Sequence, residues 1–106
     1  MATSSPEAEL TAEAPAPIYM AYFEKAGCQE CERTGLDLNV VRDRYPQVVV
    51  ESFSIEDEEN KRLNEWLSDR AGVPEEKRLS TPMIFVGDDV LIGTEAHLQN
   101  LLLFLG

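Results

Sequence analysis

Cys28 and Cys31 are the two cysteines of this 106-residue chain, and only Gln29 and Glu30 separate them. They follow an apolar run, Ile18-Tyr19-Met20-Ala21-Tyr22-Phe23, and open a segment with helical spacing. Two thiols at the mouth of a helix are placed to react. A helix N-terminus presents unpaired N–H groups and a partial positive charge, and both favour thiolate over thiol. Two intervening residues let the sulfurs meet, so a thiolate that has attacked a disulfide can be displaced by its neighbour. Zinc is the competing chemistry for such a pair. It takes four ligands where one Cys-x-x-Cys supplies two. The single histidine, His97, lies far along the chain inside a helical pattern. The residues therefore predict no metal and no cofactor. A zinc site would need ligands from another chain.

The elements around the cysteines follow from spacing. Ile18–Phe23 is apolar on both parities, as central parallel strands are. Gly27 loosens the backbone just before Cys28. The pattern predicts a helix from about Cys28 to Arg44, with a buried stripe of Cys31, Thr34/Gly35, Leu38, Val41 and Tyr45. That stripe buries Cys31 and leaves Cys28 at the exposed helix start. Pro46 stops the helix. Val48–Ile55 is β-branched and aromatic, a second strand. A second helix opens on acidic residues 56–59, buries Leu63, Trp66 and Leu67, and closes at Gly72 with Pro74 beyond. Met83–Val86 and Val90–Ile92 flank the turn signal Gly87-Asp88-Asp89. Gly93-Thr94 starts a last helix, with Thr94 as its N-cap and Leu98, Leu101, Leu102 and Leu105 as its buried face. The order β-α-β-α-β-β-α is that of an α/β fold: a four-stranded mixed sheet flanked by helices, its first two strands parallel through a right-handed crossover.

Charge and composition exclude partners. The formal net charge is −11. Phosphate recognition needs Lys and Arg, so neither nucleic acid nor an anionic membrane surface is expected as a partner. High negative charge keeps a chain soluble and predicts a monomer. Residues 1–17 hold Ala, Ser, Thr, Glu and Pro in excess, too little apolar surface to offset ordering entropy, and predict a disordered tail or linker. The domain proper is expected over 18–106. Residues 1–17 lack the basic start and apolar stretch of a signal peptide. The compartment stays open: cytoplasmic by default, extracytoplasmic if the chain is a piece of a longer, membrane-associated protein. The ending Leu101-Leu102-Leu103-Phe104-Leu105 is apolar on more faces than a surface helix needs, yet far too short to span a bilayer.

Over residues 18–105 the chain resembles the thioredoxin superfamily in its compact glutaredoxin-like form. The matching residues are Cys28-Gln29-Glu30-Cys31 between strand and helix, Thr81-Pro82 before the third strand, Gly87 in the hairpin and Gly93 before the last helix. The resemblance implies that Cys28 is the nucleophile and Cys31 the resolving thiol. It implies a cis Thr81–Pro82 bond facing the dithiol, with the Thr81 backbone free to pair with an extended substrate. The chain also departs from the family. Gln29-Glu30 replaces the usual residues between the cysteines, and no Trp precedes Cys28. Tyr22 stands about where thioredoxins carry a buried Asp, and Ser52 or Phe53 where they carry a buried Lys. Proton removal from Cys31 then falls to Glu30, Glu24 or water. Gly93-Thr94 replaces the Gly-Gly pair that helps glutaredoxins hold glutathione, so glutathione is not an expected partner.

The expected function is thiol–disulfide exchange with protein disulfides, on the reducing side, with a redox partner protein to restore the dithiol. The contrasting expectation is a non-catalytic binding module with an inert disulfide. One insertion, residues 74–80, has no family counterpart. Its Lys77 and Arg78 are read first as solvated loop charges, with cations that favour the Cys28 thiolate or dock an acidic partner as the alternatives.

Overall fold

The computed structural model describes residues 16–105, so most of the predicted tail lies outside the described residues. Strand β1 (Ile18–Glu24) is followed by helix α1 (Gln29–Arg44), β2 (Val48–Ser54), α2 (Glu58–Ala71), a short 3₁₀ turn (Glu75–Lys77), β3 (Met83–Val86), β4 (Asp89–Ile92), a second 3₁₀ turn (Gly93–Glu95) and α3 (Leu98–Leu102). The sheet order is β2-β1-β3-β4. β1 pairs parallel to β2 and antiparallel to β3, and β3 pairs antiparallel to β4. Val86 lies opposite Asp89 across a two-residue turn. Gly87 has φ +60° at its first central position, where such turns take glycine.

Alternation along the strands sends side chains to two cores. Met20, Tyr22 and Ile84 join Leu38 and Val41 of α1 and Leu101 of α3 on one face. Phe23, Met83 and Phe85 form the other face with Val73, and Leu63 and Leu67 of α2 pack against it. There Phe23 stacks on Phe53 at 5.1 Å and meets Phe85 edge-on at 5.7 Å. Aromatic pairs of this kind add about 1 kcal/mol beyond their area burial.

Three sequence expectations need correction. Trp66 does not belong to the buried stripe of α2: it is 56% exposed and lies under the Arg70 guanidinium, 5.0 Å from its ring centre. Asn64 and Ser68 are fully buried in its place. Thr94 does not cap the last helix. It is exposed within the second 3₁₀ turn, and α3 starts only at Leu98 with His97 at its N-cap position. The Leu98 N–H donates instead to the Asp37 carboxylate on α1, at 3.0 Å. Cys28 is the N-cap of α1 rather than its first helical residue. Elsewhere the pattern holds. Gly72 closes α2 with φ +72°, and Leu101 is buried with Leu98, Leu102 and Leu105 packed against the same core. Leu103 is 78% exposed. Among the described residues no helix is long and apolar enough to cross a membrane.

Candidate active site: a disulfide at the head of a helix

β1 ends at Glu24, and a short loop turns the chain into α1. Gly27 makes that turn with φ +79°. A Cβ there would meet nothing within 4 Å, so the backbone angle and not crowding calls for glycine. Cys28 follows with extended φ/ψ, as N-caps have, and its Sγ accepts from the Cys31 N–H at 3.0 Å. A sulfur occupies the place of the usual capping oxygen. Cys28 and Cys31 are joined as a disulfide, with Cα atoms 5.1 Å apart. The two ends differ in access: Cys28 is partly exposed and Cys31 is 4% exposed.

Behind the disulfide lies a cavity of about 250 Å³ lined by Tyr22, Glu24, Lys25, Cys28, Cys31, Glu32 and Ser52, among others. Tyr22 and Ser52 are register partners on β1 and β2. The Tyr22 hydroxyl donates to the Cys31 carbonyl at 2.5 Å. Burial, helped by the Glu24 charge, pushes this phenol up to about 12. It stays a neutral donor at any ordinary pH. Glu30, between the cysteines, does not line this cavity. Its carboxylate is taken by Arg33 at 2.9 Å, and Arg33 also bridges to Asp37 at 3.1 Å. Of the carboxylates expected to serve Cys31, Glu24 lines the cavity, and Glu32 joins it there.

The insertion at 74–80 is tied to α2. Arg78 donates to the Val73 carbonyl at 2.9 Å and pairs with Asp69 at 2.7 Å and Glu65 at 3.1 Å. Neither Arg78 nor Lys77 lines the cavity at Cys28. Leu79 adopts φ +60°, an uncommon angle for a branched residue. Its N–H donates to the buried Asn64 carbonyl at 3.3 Å, and Ser68 donates to the same oxygen at 3.2 Å. Asn64 thus holds the loop that delivers Thr81 and Pro82. Asn60, Asn64 and Ser68 recur every four residues, and that polar stripe was the available signal.

The Thr81–Pro82 peptide is cis. Met83 lies opposite Phe23 in the register, which sets Pro82 level with Glu24. Thr81 and Pro82 therefore sit at the end of the sheet from which the Cys28 loop departs, though neither lines the cavity behind the disulfide. The Pro82 carbonyl accepts from Gly93 at 2.8 Å. On the far side of α1, buried Thr34 donates to the Ala96 carbonyl at 2.8 Å. With Asp37 it fixes the last segment against the cysteine helix. His97 faces Asn100 at 3.3 Å, and among the described residues no group of three or more His, Cys, Asp and Glu side chains could hold a metal ion.

A mixed sheet with this order, with a Cys-x-x-Cys pair at the first helix and a Thr-Pro step before the third strand, is a thioredoxin-like fold. Solved structures agree on the fold. The chain is similar to the germline-specific thioredoxin Deadhead of Drosophila melanogaster, with TM-score 0.55 and 17% identity over 99% of this chain and 96% of that one. It is also similar to a structure described as a malarial protein, with TM-score 0.55 and 16% identity over 84% of this chain and 93% of that one. No protein-family profile and no curated protein matches the sequence. At these identities the likeness is one of fold.

Proposed function

We propose that this domain is a thiol–disulfide oxidoreductase that reduces protein disulfides. The observation that carries the reading is the Cys31 N–H aimed at the Cys28 sulfur. In the reduced protein the same donor and the helix N-terminus favour a Cys28 thiolate. That thiolate attacks one sulfur of a substrate disulfide, forms the mixed disulfide and expels the other sulfur as thiolate. Cys31 then attacks Cys28, closing the disulfide seen here and releasing the second substrate thiol. The substrate gains two electrons and the dithiol loses them. A redox partner protein restores the dithiol. Thr81 and Pro82, at the end of the sheet from which the Cys28 loop departs, would bind substrate, with the Thr81 backbone as the pairing edge. Glutathione is a poor partner, because the chain is acidic and Thr94 follows Gly93 where a second glycine would help hold it.

Insulin reduction tests this. Catalytic amounts of the protein with excess dithiothreitol are expected to precipitate the insulin B chain faster than dithiothreitol alone, and Cys28→Ser to abolish the gain. No acceleration by a wild type whose two thiols titrate after reduction would favour the binding-module reading.

A further inference from the structure

We infer that Tyr22 is a positioning residue for the resolving cysteine, acting through its hydrogen bond to the Cys31 carbonyl. The inference rests on the thiol–disulfide reading above and adds to it a residue outside the Cys-x-x-Cys pair. Tyr22 is 6% exposed, and its hydroxyl reaches from the middle of the sheet to the first turn of α1. The bond ties two elements nine residues apart in sequence. It falls on the residue whose sulfur must meet Cys28 in line once the mixed disulfide has formed. Intramolecular displacement is fast only while the reacting atoms stay in near-attack geometry, and small misplacements are costly in rate. The Cys28 carbonyl, by contrast, accepts from the Glu32 N–H within α1. Losing the Tyr22 hydroxyl leaves the Cys28 end of the site unchanged.

Tyr22 does not carry the proton. Its phenol stays protonated across the working range. The charged groups sharing cavities with it are Glu24 at the end of β1, Lys25 in the loop, and Glu32 and Arg42 on α1; β2 contributes the neutral Ser52. The proton of the Cys31 thiol leaves into the cavity behind the disulfide and passes to water there, and the expelled substrate thiolate takes one up from water. Cys31 forms its bond to Cys28 as the Cys28–substrate bond breaks, so charge and electrons balance without Tyr22 changing state.

The pre-reduced protein is mixed with one equivalent of 5,5′-dithiobis(2-nitrobenzoate), and thionitrobenzoate release is followed by stopped flow between pH 6 and 9. Attack by Cys28 releases the first equivalent and displacement by Cys31 the second. Tyr22→Phe is expected to slow the second phase about three- to tenfold, by the same factor at every pH, and to leave the first within twofold. Thr34→Val, which removes another buried hydrogen bond of α1, serves as control: it is expected to lower the thermal midpoint without slowing the second phase. An unchanged second phase in Tyr22→Phe overturns the inference. So does a slowing confined to one side of a titration, or an equal slowing in Thr34→Val. A wild type that releases one equivalent and no second overturns the thiol–disulfide reading itself.

Discussion

The backbone N–H of Cys31 donates to the sulfur of Cys28 at 3.0 Å, so the more buried cysteine supplies a donor to the more exposed one. In the proposed exchange this asymmetry separates their roles. Cys28 is expected to react first with iodoacetamide in the reduced protein. Cys31→Ser should trap mixed disulfides with substrate, visible as gel-shifted adducts that dithiothreitol removes, whereas Cys28→Ser should trap none. First labelling at Cys31 would reverse the assignment.

The charges around the cavity are expected to tune the reduction potential. Glu24 and Glu32 line the cavity with the cysteines, Lys25 being a partial offset, while Glu30 is paired with Arg33. Uncompensated carboxylates disfavour the thiolate and so favour the disulfide. The potential is expected at about −220 to −280 mV, between glutaredoxin-like and thioredoxin-like values. Replacing both Glu24 and Glu32 by Gln should raise it by about 10–20 mV, the scale of exposed charge interactions. Equilibration against dithiothreitol or glutathione buffers measures both. An unchanged potential would show that the carboxylates do not act on the thiolate.

Asn64 holds the loop before Thr81–Pro82 by accepting from the Leu79 N–H. Asn64→Leu leaves that donor and the Ser68 hydroxyl without their partner. A stability loss of about 2 kcal/mol is expected in urea unfolding, together with slower insulin reduction because Thr81 is no longer held in place. Wild-type stability in the variant would mean that the loop finds other support.

Asp37 both caps α3, through the Leu98 N–H, and pairs with Arg33. Asp37→Ala is expected to cost about 1 kcal/mol, the usual weight of a lost cap. Amide exchange should show the loss concentrated in residues 98–102. Uniform loosening of the whole domain would argue against a capping role.

Alkali should destabilise the fold through Tyr22. Its folded value lies near 12, above the ordinary 10, so the folded state holds this proton more tightly than the unfolded state does. Its contribution is fully present below about pH 10 and is lost as pH rises through about 12. In Tyr22→Phe that part of the alkaline decline should vanish, and the highest-titrating tyrosinate absorbance near 295 nm should go with it.

Much of the fold was legible because the signals are local. The helical spacing after Cys28 requires Cys31 to face inward, and Gly72 and Gly87 stand where the backbone turns to positive φ. The alternating strands need no distant information to divide their residues between two faces. The Cys28–Cys31 pair and the Thr81–Pro82 step stood out for the same reason, since each is carried by adjacent residues. What sequence order left undecided were partnerships between residues distant along the chain. By apolarity alone, Leu63, Trp66 and Leu67 fit a buried helical stripe better than Leu63, Asn64, Leu67 and Ser68 do. The tertiary structure turned the helix toward Asn64 because the Leu79 N–H, fifteen residues on, needed an acceptor in a buried place. Thr94 is a good cap by type, yet Asp37, sixty-one residues from Leu98, took that role because α1 packs beside it. Tyr22 was placed on the inner strand by its apolar neighbours. Only the packing of that strand under the first turn of α1 brought its hydroxyl to Cys31, because a buried hydroxyl must find whichever acceptor the fold sets within reach.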